Sequence, residues 1–144
     1  MTSAQAPLVS ASAIWFAYLQ PQVYAGDGEP HQLLLADSGT LGNETLFTDA
    51  DNGVALTHRA LVQVDLHATC SHEVAIERHL AVQVDKGASG GLMERGTSCF
   101  VAGLGNASYQ GILEAGHVVR AIVSAPGDEV EIKDGYVSVT GTPI

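Results

Sequence analysis

Basic side chains are scarce in this chain of 144 residues. Six lysines and arginines stand against sixteen aspartates and glutamates, giving a formal net charge of −10 at pH 7. Proteins hold nucleic acids and anionic membrane surfaces largely through cationic side chains that neutralise phosphate. The composition therefore predicts neither a nucleic acid nor a membrane as a partner.

Long hydrophobic runs and cysteines are also few. The most apolar stretch near the start, residues 8–19, is too short to span a bilayer. No basic residue precedes it, as a secretory signal would require, so we expect no signal peptide. Cys70 and Cys99 are the two cysteines, too few for a disulfide framework. Because cysteine is usually buried, two separate thiols are favoured over a bridge between them.

The sequence has no long stripe of apolar residues with the helical period of 3.6. Alternation with period 2 dominates instead, and it predicts half-buried antiparallel strands. In residues 60–71, Val62, Val64 and Leu66 share one face, and polar side chains occupy the other. Residues 74–85 repeat the pattern, with Arg78 as an exception on the apolar side. One face of each strand should therefore contact a core.

Further short strands are predicted at 97–103, 107–113, 117–124, 129–133 and 135–140. Turn signals separate them, among them Gly105-Asn106, Ala115-Gly116 and Asp134-Gly135. The last pair, flanked by two alternating runs, predicts a two-residue hairpin. Short strands at this spacing indicate a β-sandwich or barrel.

The first third of the sequence is less regular. Pro21 interrupts residues 13–26, which restricts that segment to an edge strand or a strand end. Residues 31–37 resemble a buried strand, residues 38–53 a long loop with short extended pieces, and residues 1–7 a flexible arm. We therefore divide the chain into an N-terminal arm with a first edge strand, 1–30, and a main domain, 31–144.

No reactive centre is evident. The six histidines include no His-x-His pair of the kind that a cupin metal site uses. The spacing of Asp49, Asp51 and Asn52 favours a turn over a calcium loop. An EF-hand calcium loop would have a glutamate at its twelfth position, which is Ala60 in this sequence. No GxSxG motif occurs. The sequence thus predicts no metal, no cofactor and no enzyme activity, with a cupin-like metalloenzyme as the weakest alternative.

A polar face remains on the alternating strands. It comprises Gln63, Asp65, His67, Glu77, His79 and Gln83. It is either a solvated sheet face or a subunit contact. The contact is suggested by the absence of lysine, which interfaces tend to exclude.

Three segments together resemble the tumour-necrosis-factor-like jelly roll, which includes complement globular heads and bacteriophage structural proteins. They are residues 52–71, residues 75–88 and the closing strands 111–144. The last segment has the family's Leu-x-Ala-Gly-Asp-x-Val turn, with His117 where the family usually has aspartate. We interpret His117 as structural, because a ring nitrogen can cap this turn as the carboxylate does. The aromatic residue expected near the C-terminus is missing, which favours the phage branch.

The resemblance implies an all-β jelly-roll sandwich of about eight to ten antiparallel strands that forms a homotrimer, with one sheet packed around the threefold axis. We assign the subunit contact to Gln63, Asp65, His67, His79 and Tyr109. We hypothesise a capsid decoration protein of a tailed bacteriophage, made in the host cytoplasm and bound to the major capsid protein on the outside of the virion.

Two further interpretations complete the predictions. Ile14, Trp15, Phe16 and Tyr18 are predicted to form a capsid-binding arm, or else a first strand in the subunit's own core. The alternative function is a tail, fibre or adhesin head that recognises a host glycan, for which Tyr24 and Tyr109 are the candidate surface aromatics.

Overall fold

The computed structural model describes residues 12–70, 78–101, 103–127 and 129–144. In these ranges the chain forms twelve strands and one 3₁₀ turn, Gly87–Ser89. The strands are β1 (Ala13–Leu19), β2 (Gln22–Tyr24), β3 (His31–Gln32), β4 (Leu35–Gly42), β5 (Phe47–Ala50), β6 (Gly53–Leu56), β7 (Ala60–Cys70), β8 (His79–Asp85), β9 (Leu92–Cys99), β10 (Leu104–Leu113), β11 (Val118–Ser124) and β12 (Val130–Pro143). The arm predicted at residues 1–7 and the beginning of the strand predicted at 74–85 lie outside the described residues.

The strands form two antiparallel sheets. The first sheet has the order β10-β7-β12-β1-β4, and β2 pairs with the beginning of β12. The second has the order β5-β6-β11-β8-β9, and β3 pairs with β11. The predicted jelly-roll sandwich is confirmed. The described strands exceed the eight to ten predicted, partly because β2 and β3 are pieces of three and two residues.

The core lies between the two sheets and is built by the alternation seen in the sequence. On β7, Val62, Val64 and Leu66 are fully buried, and the polar residues between them point away from the core. On β8, Leu80, Val82 and Val84 are likewise fully buried. Both inward faces are as predicted, because period 2 places alternate side chains on the same side of a strand. Gln83 of β8 is buried as well, which corrects its assignment to an outward polar face. No helix in the described ranges is long and apolar enough to cross a membrane.

Strand β1 is an interior strand, which corrects the prediction of an edge strand. It pairs with β12 on one side and β4 on the other. It ends at Leu19, two residues before Pro21, so the prediction of a strand end at this proline is confirmed. The domain boundary proposed at residue 30 would therefore separate β1 from the first sheet, to which β1 belongs.

Strand β12 corrects the prediction of a hairpin at Asp134-Gly135. The two runs at 129–133 and 135–140 form one continuous strand, and a bulge between Ile132 and Asp134 shifts the register. Gly135 has a φ of +154°, and a Cβ atom there would lie 2.2 Å from the carbonyl oxygen of His67. A glycine is therefore needed because β7 approaches so closely. Glycine favours turns, but in a strand it also marks bulges, and the bulge is what forms at this position.

Two other turn predictions have different outcomes. Gly105 and Asn106 lie inside β10, so the turn predicted there is wrong. The short extended pieces predicted within the loop at 38–53 are present as strands, because β4 extends to Gly42 and β5 begins at Phe47. Asn52, with a φ of +56°, lies in the tight turn between β5 and β6. The interpretation of this acidic run as a turn is confirmed.

His117 caps the turn between β10 and β11, as the sequence predicted. The backbone N–H of Glu114 donates a hydrogen bond to Nδ1 of His117 at 3.1 Å, and the His117 side chain is buried. Gly116 has a φ of +88°, which allows the chain to reverse before the histidine. The ring nitrogen thus acts as an acceptor for a backbone donor at a strand end.

Replacing His117 by alanine should lower the free energy of unfolding by about 1–2 kcal/mol, because the Glu114 N–H then loses its partner beside a buried position. His117→Asn should retain most of the stability, since an amide oxygen can replace Nδ1. Urea denaturation of both variants measures the difference. Equal losses would show that the ring acts through packing and not through the hydrogen bond.

Candidate subunit-contact face

The side of the first sheet that points away from the core carries a concentration of apolar side chains. We call it the outward face and define it by the outward residues of β4, β1, β12, β7 and β10. Of the twelve exposed large hydrophobic residues in the described ranges, seven lie on it, with exposed fractions between 41% and 63%. They are Ile14, Tyr18, Leu41, Leu61, Leu104, Ile112 and Tyr136. Single exposed hydrophobic residues are normal, but a group of this kind marks an interaction surface.

Strand register arranges the outward face in rows that cross the sheet. An aromatic row is formed by Tyr18 on β1, Tyr136 on β12 and His67 on β7, with Asn106 next on β10. Directly paired side chains in such rows lie about 4.5–5.5 Å apart at Cβ. The rings of His67 and Tyr136 are stacked, with centroids 4.7 Å apart. Three ring-bearing side chains therefore meet at one level of the sheet.

The two neighbouring rows have smaller and more polar side chains at their middle positions, on β12 and β7. Phe16, Ser138, Asp65 and Ser108 form one row. Ile14, Thr140, Gln63 and Gln110 form the next, with Leu41 beside Ile14 on β4. Apolar side chains thus lie on the β4–β1 side and at the two ends of β10, and polar side chains separate them.

A shallow hollow adjoins the aromatic row. It has a volume of about 290 Å³ and is lined mainly by His67, Leu104, Asn106, Asp134 and Tyr136. Its surface is mostly apolar. A hollow of this size and character can accept an apolar side chain from another protein surface.

Charge in the rows described above is sparse and acidic. No lysine or arginine occupies any of the rows described above. Asp65 is half-buried in the central row, and the amide of Gln63 approaches its carboxylate at 3.4 Å. Asp134, at the end of the face, accepts a hydrogen bond from the Thr69 hydroxyl at 2.5 Å. Interface cores are depleted in charged residues in the same way.

The five residues predicted to form the trimer contact do not share a surface. Gln63, Asp65 and His67 lie together on the outward face. Tyr109 pairs with the buried Val64 and packs against the core, so it points away from that face. His79 begins β8 in the second sheet. The structure therefore corrects the prediction for Tyr109 and His79, and the contact role of the other three stays a prediction.

The four residues predicted to form a capsid-binding arm all lie in β1. Trp15 is 2% exposed, and its indole N–H donates a hydrogen bond to Oδ1 of Asp49 at 2.8 Å. Ile14, Phe16 and Tyr18 alternate with it and belong to the outward face. This arrangement corrects the arm interpretation and agrees with the alternative, a first strand in the subunit's own core.

The aromatic residues considered for glycan recognition are not loop aromatics. Tyr24 and Tyr109 are strand residues packed against the core. The Tyr24 hydroxyl donates to the Gln32 carbonyl oxygen at 2.7 Å, and burial raises the pKa of that hydroxyl. His31 stacks on the Tyr24 ring at 5.1 Å and lies 2.9 Å from the Asp27 carboxylate. These contacts fasten the segment between β2 and β3.

No group of three histidine, cysteine, aspartate or glutamate side chains in the described ranges is arranged to hold a metal ion. Cys70 is a buried thiol at the end of β7. Asp85, on the second sheet, contacts the Arg120 guanidinium at 3.1 Å. The Gly87 backbone N–H and this guanidinium hold the pKa of Asp85 below its usual range. The ion pair joins β8 to β11 and has a structural role.

The sequence reasoning missed the apolar members of the outward face. Leu61 and Ile112 lie near the ends of their strands, next to buried residues. Tyr136 follows the bulge in β12, where the sequence pattern had predicted a hairpin. The available signal was the apolar character of Leu61 and Ile112 at positions that the alternation assigns to the polar side.

The comparisons with known proteins bear on the fold of this chain alone. No family model and no curated protein matches the sequence. Among solved structures, murine APRIL has a TM-score of 0.63 at 7% identity and covers 91% of this chain and 98% of its own. The vertex protein P5 of phage PRD1 has a TM-score of 0.65 at 12% identity, with 92% and 97% covered. The globular domain of zebrafish complement 1qA has a TM-score of 0.57 at 9% identity, with 91% and 96% covered.

These neighbours define the class of fold. The chain has the jelly-roll fold shared by tumour-necrosis-factor-like proteins and complement globular heads, as predicted. The vertex protein of a bacteriophage is among the proteins that share it.

Proposed function

We propose that this protein is a non-enzymatic virion component, a homotrimeric capsid decoration protein of a tailed bacteriophage. The observation that carries the proposal is the outward face of the first sheet, where seven exposed apolar side chains lie around rows without lysine or arginine, on a chain of net charge −10. The likeness of the fold to a phage vertex protein supports the virion assignment.

The outward face is suited to bury against further copies of the chain. Its exposed apolar residues include Ile14, Tyr18 and Leu41 on the β4–β1 side, and Leu104 and Ile112 at the two ends of β10. In a ring around a rotation axis each subunit contacts its neighbours through two different patches. A closed trimer would thus join the β4–β1 side of one subunit to the β10 edge of the next.

The mass of the purified protein in solution tests the trimer. Light scattering at micromolar concentration should give three times the chain mass of 14.9 kDa. Leu41→Glu should weaken the assembly, because it places a charge in the apolar region of the face. Leu92→Glu is a matched control, since Leu92 is as exposed but belongs to β9 of the second sheet. A stable monomer would contradict the proposal.

Binding to the capsid is tested separately. The trimer should co-sediment with shells assembled from the major capsid protein of the same virion. Deletion of residues 1–11 leaves β1 intact and asks whether that segment contributes to shell binding. Deletion through residue 18 would remove the interior strand and is not a useful test. A trimer that does not bind shells but binds host glycans would favour the receptor-binding alternative.

A further inference from the structure

We propose that the ring of Tyr18 from one subunit occupies the hollow beside the aromatic row of the next subunit. This inference rests on the proposed trimer and names the residues that meet across it. Tyr18 is 55% exposed on the β4–β1 side, and it does not line the hollow of its own subunit. More than half of this side chain is therefore uncovered until another surface packs against it.

Tyr18 and the hollow lie in one row of the sheet. The row runs from Tyr18 through Tyr136 and His67 to Asn106, and the last three residues line the hollow. Neighbouring strands are about 4.8 Å apart, so this row spans about 14 Å. Rotation about an axis leaves the height along that axis unchanged, so patches that meet in a ring must lie at one height. Tyr18 and the hollow meet this condition when the strands run along the axis.

The hollow has the size and chemistry to take one tyrosine side chain. Its volume of about 290 Å³ is below the range of about 300–1,000 Å³ typical of small-molecule sites. Leu104 and the Tyr136 ring give it apolar walls, and Thr69 and Asp134 also line it. A tyrosine suits such a mixture, because its ring is apolar and its hydroxyl can donate a hydrogen bond to a carboxylate.

A second hollow adjoins the first and is less suited to an aromatic ring. It has a volume of about 380 Å³ and shares His67 and Asn106 with the first. Its surface is more polar and includes Asp65, together with Gly96 of β9, which follows Arg95. An apolar ring placed there would cover polar groups without giving them hydrogen bonds. We therefore assign the ring to the first hollow, where a neutral side chain is compatible with charges of either sign nearby.

Leu41 is the competing side chain on the β4–β1 side. It is 63% exposed, and its row crosses the sheet to Gln110 on β10. Gln110 lines neither of the two hollows. Leu41 should therefore contribute less to the contact than Tyr18, although both are exposed in the single subunit.

Trimer dissociation constants measured by analytical ultracentrifugation test the contact. Tyr18→Ala should raise the dissociation constant at least about thirtyfold, the effect of removing an aromatic anchor from its pocket. Tyr18→Phe keeps the ring and should raise it less than about tenfold. Leu41→Ala is the matched control and should raise it less than about fivefold. Circular dichroism of each variant should match the unmodified protein, because these side chains are exposed.

A double-mutant cycle and a cross-link test the pairing of Tyr18 with the hollow. Leu104→Ala should weaken the trimer, and adding Tyr18→Ala should weaken it little further, because residues in contact are coupled. Replacing Tyr18 by a photoreactive benzophenone amino acid should give covalent dimers attached within residues 104–106 or 134–136. The same probe in place of Leu92, which is exposed on the second sheet, should give none.

Three results would overturn the inference and leave the proposed trimer intact. They are an unchanged dissociation constant for Tyr18→Ala, fully additive losses in the cycle, and cross-links that avoid β10 and β12. In a mixture with assembled shells, attachment to the shell protein instead of to another copy would overturn it as well. An unmodified protein that stays monomeric at every concentration would overturn both the inference and the proposed function.

Discussion

Replacing Trp15 by alanine will lower the free energy of unfolding by about 3–5 kcal/mol, the usual loss for a large aromatic removed from a core. Trp15 is 2% exposed and belongs to the interior strand β1, which pairs with β12 on one side and β4 on the other. Urea denaturation followed by circular dichroism measures the loss. In the parent protein the same transition can be followed by fluorescence, because Trp15 is the sole tryptophan.

Two variants separate packing from hydrogen bonding at this position. Trp15→Phe keeps an aromatic ring in the core and removes the indole donor to Asp49, so it should cost less than the alanine change. Asp49→Asn keeps an acceptor oxygen and should cost about 1 kcal/mol or less. If Trp15→Ala left stability unchanged and abolished shell binding, the residue would belong to an arm and the fold described for β1 would be wrong.

Replacing Gly135 by alanine is expected to cost about 2–5 kcal/mol, the sum of backbone strain and overpacking. The new Cβ atom would lie 2.2 Å from the His67 carbonyl oxygen and 2.9 Å from Cα of Ala68. Both are backbone atoms of β7, so the clash cannot be relieved by turning a side chain. The change should also disturb the outward face, because the pair of Tyr136 and His67 is next to the pair of Gly135 and Ala68.

Gly28→Ala is the matched control for Gly135→Ala. Gly28 also has a positive φ, +78°, but an added Cβ would have no atom within 4 Å. Alanine there should cost only the backbone penalty, about 1–2 kcal/mol. Thermal or urea unfolding of the two variants should therefore differ clearly. Equal losses would indicate that residues 134–135 form an open turn, as the sequence pattern first suggested.

The sequence predicted which side of a strand faces the core far better than it predicted strand partners. Val62, Val64 and Leu66 are buried as expected, because alternation is a local property that the pleat converts directly into sidedness. His117 was also predicted correctly, since a turn and its cap lie within four residues. Such short-range features can be derived from one sequence.

Features that depend on distant pairing could not be predicted in the same way. Asp134-Gly135 fits a hairpin and a bulge equally well from local chemistry, and only the position of β7 against β12 decides between them. Pro21 correctly marked a strand end, but β1 became interior because β4 pairs beside it. Neighbouring strands in this fold come from distant parts of the chain, and a single sequence does not specify them.

The candidate contact face illustrates the same limit. Gln63, Asp65 and His67 were placed together by periodicity within one strand. Tyr109 was assigned to the wrong side because the register of β10 against β7 decides its direction. The aromatic row requires three strands to be aligned at once, so Tyr18 and Tyr136 could not be joined to His67 before the sheet was known.

The position of β12 has a consequence for how the protein is made. The last strand of the described chain lies between β7 and β1 in the middle of the first sheet. During translation both strands would expose open backbone edges until β12 has left the ribosome, and such edges are prone to wrong pairing. The first sheet should therefore be completed only once β12 is available, and a ribosome-stalled chain that ends before residue 130 should resist compaction and bind chaperones.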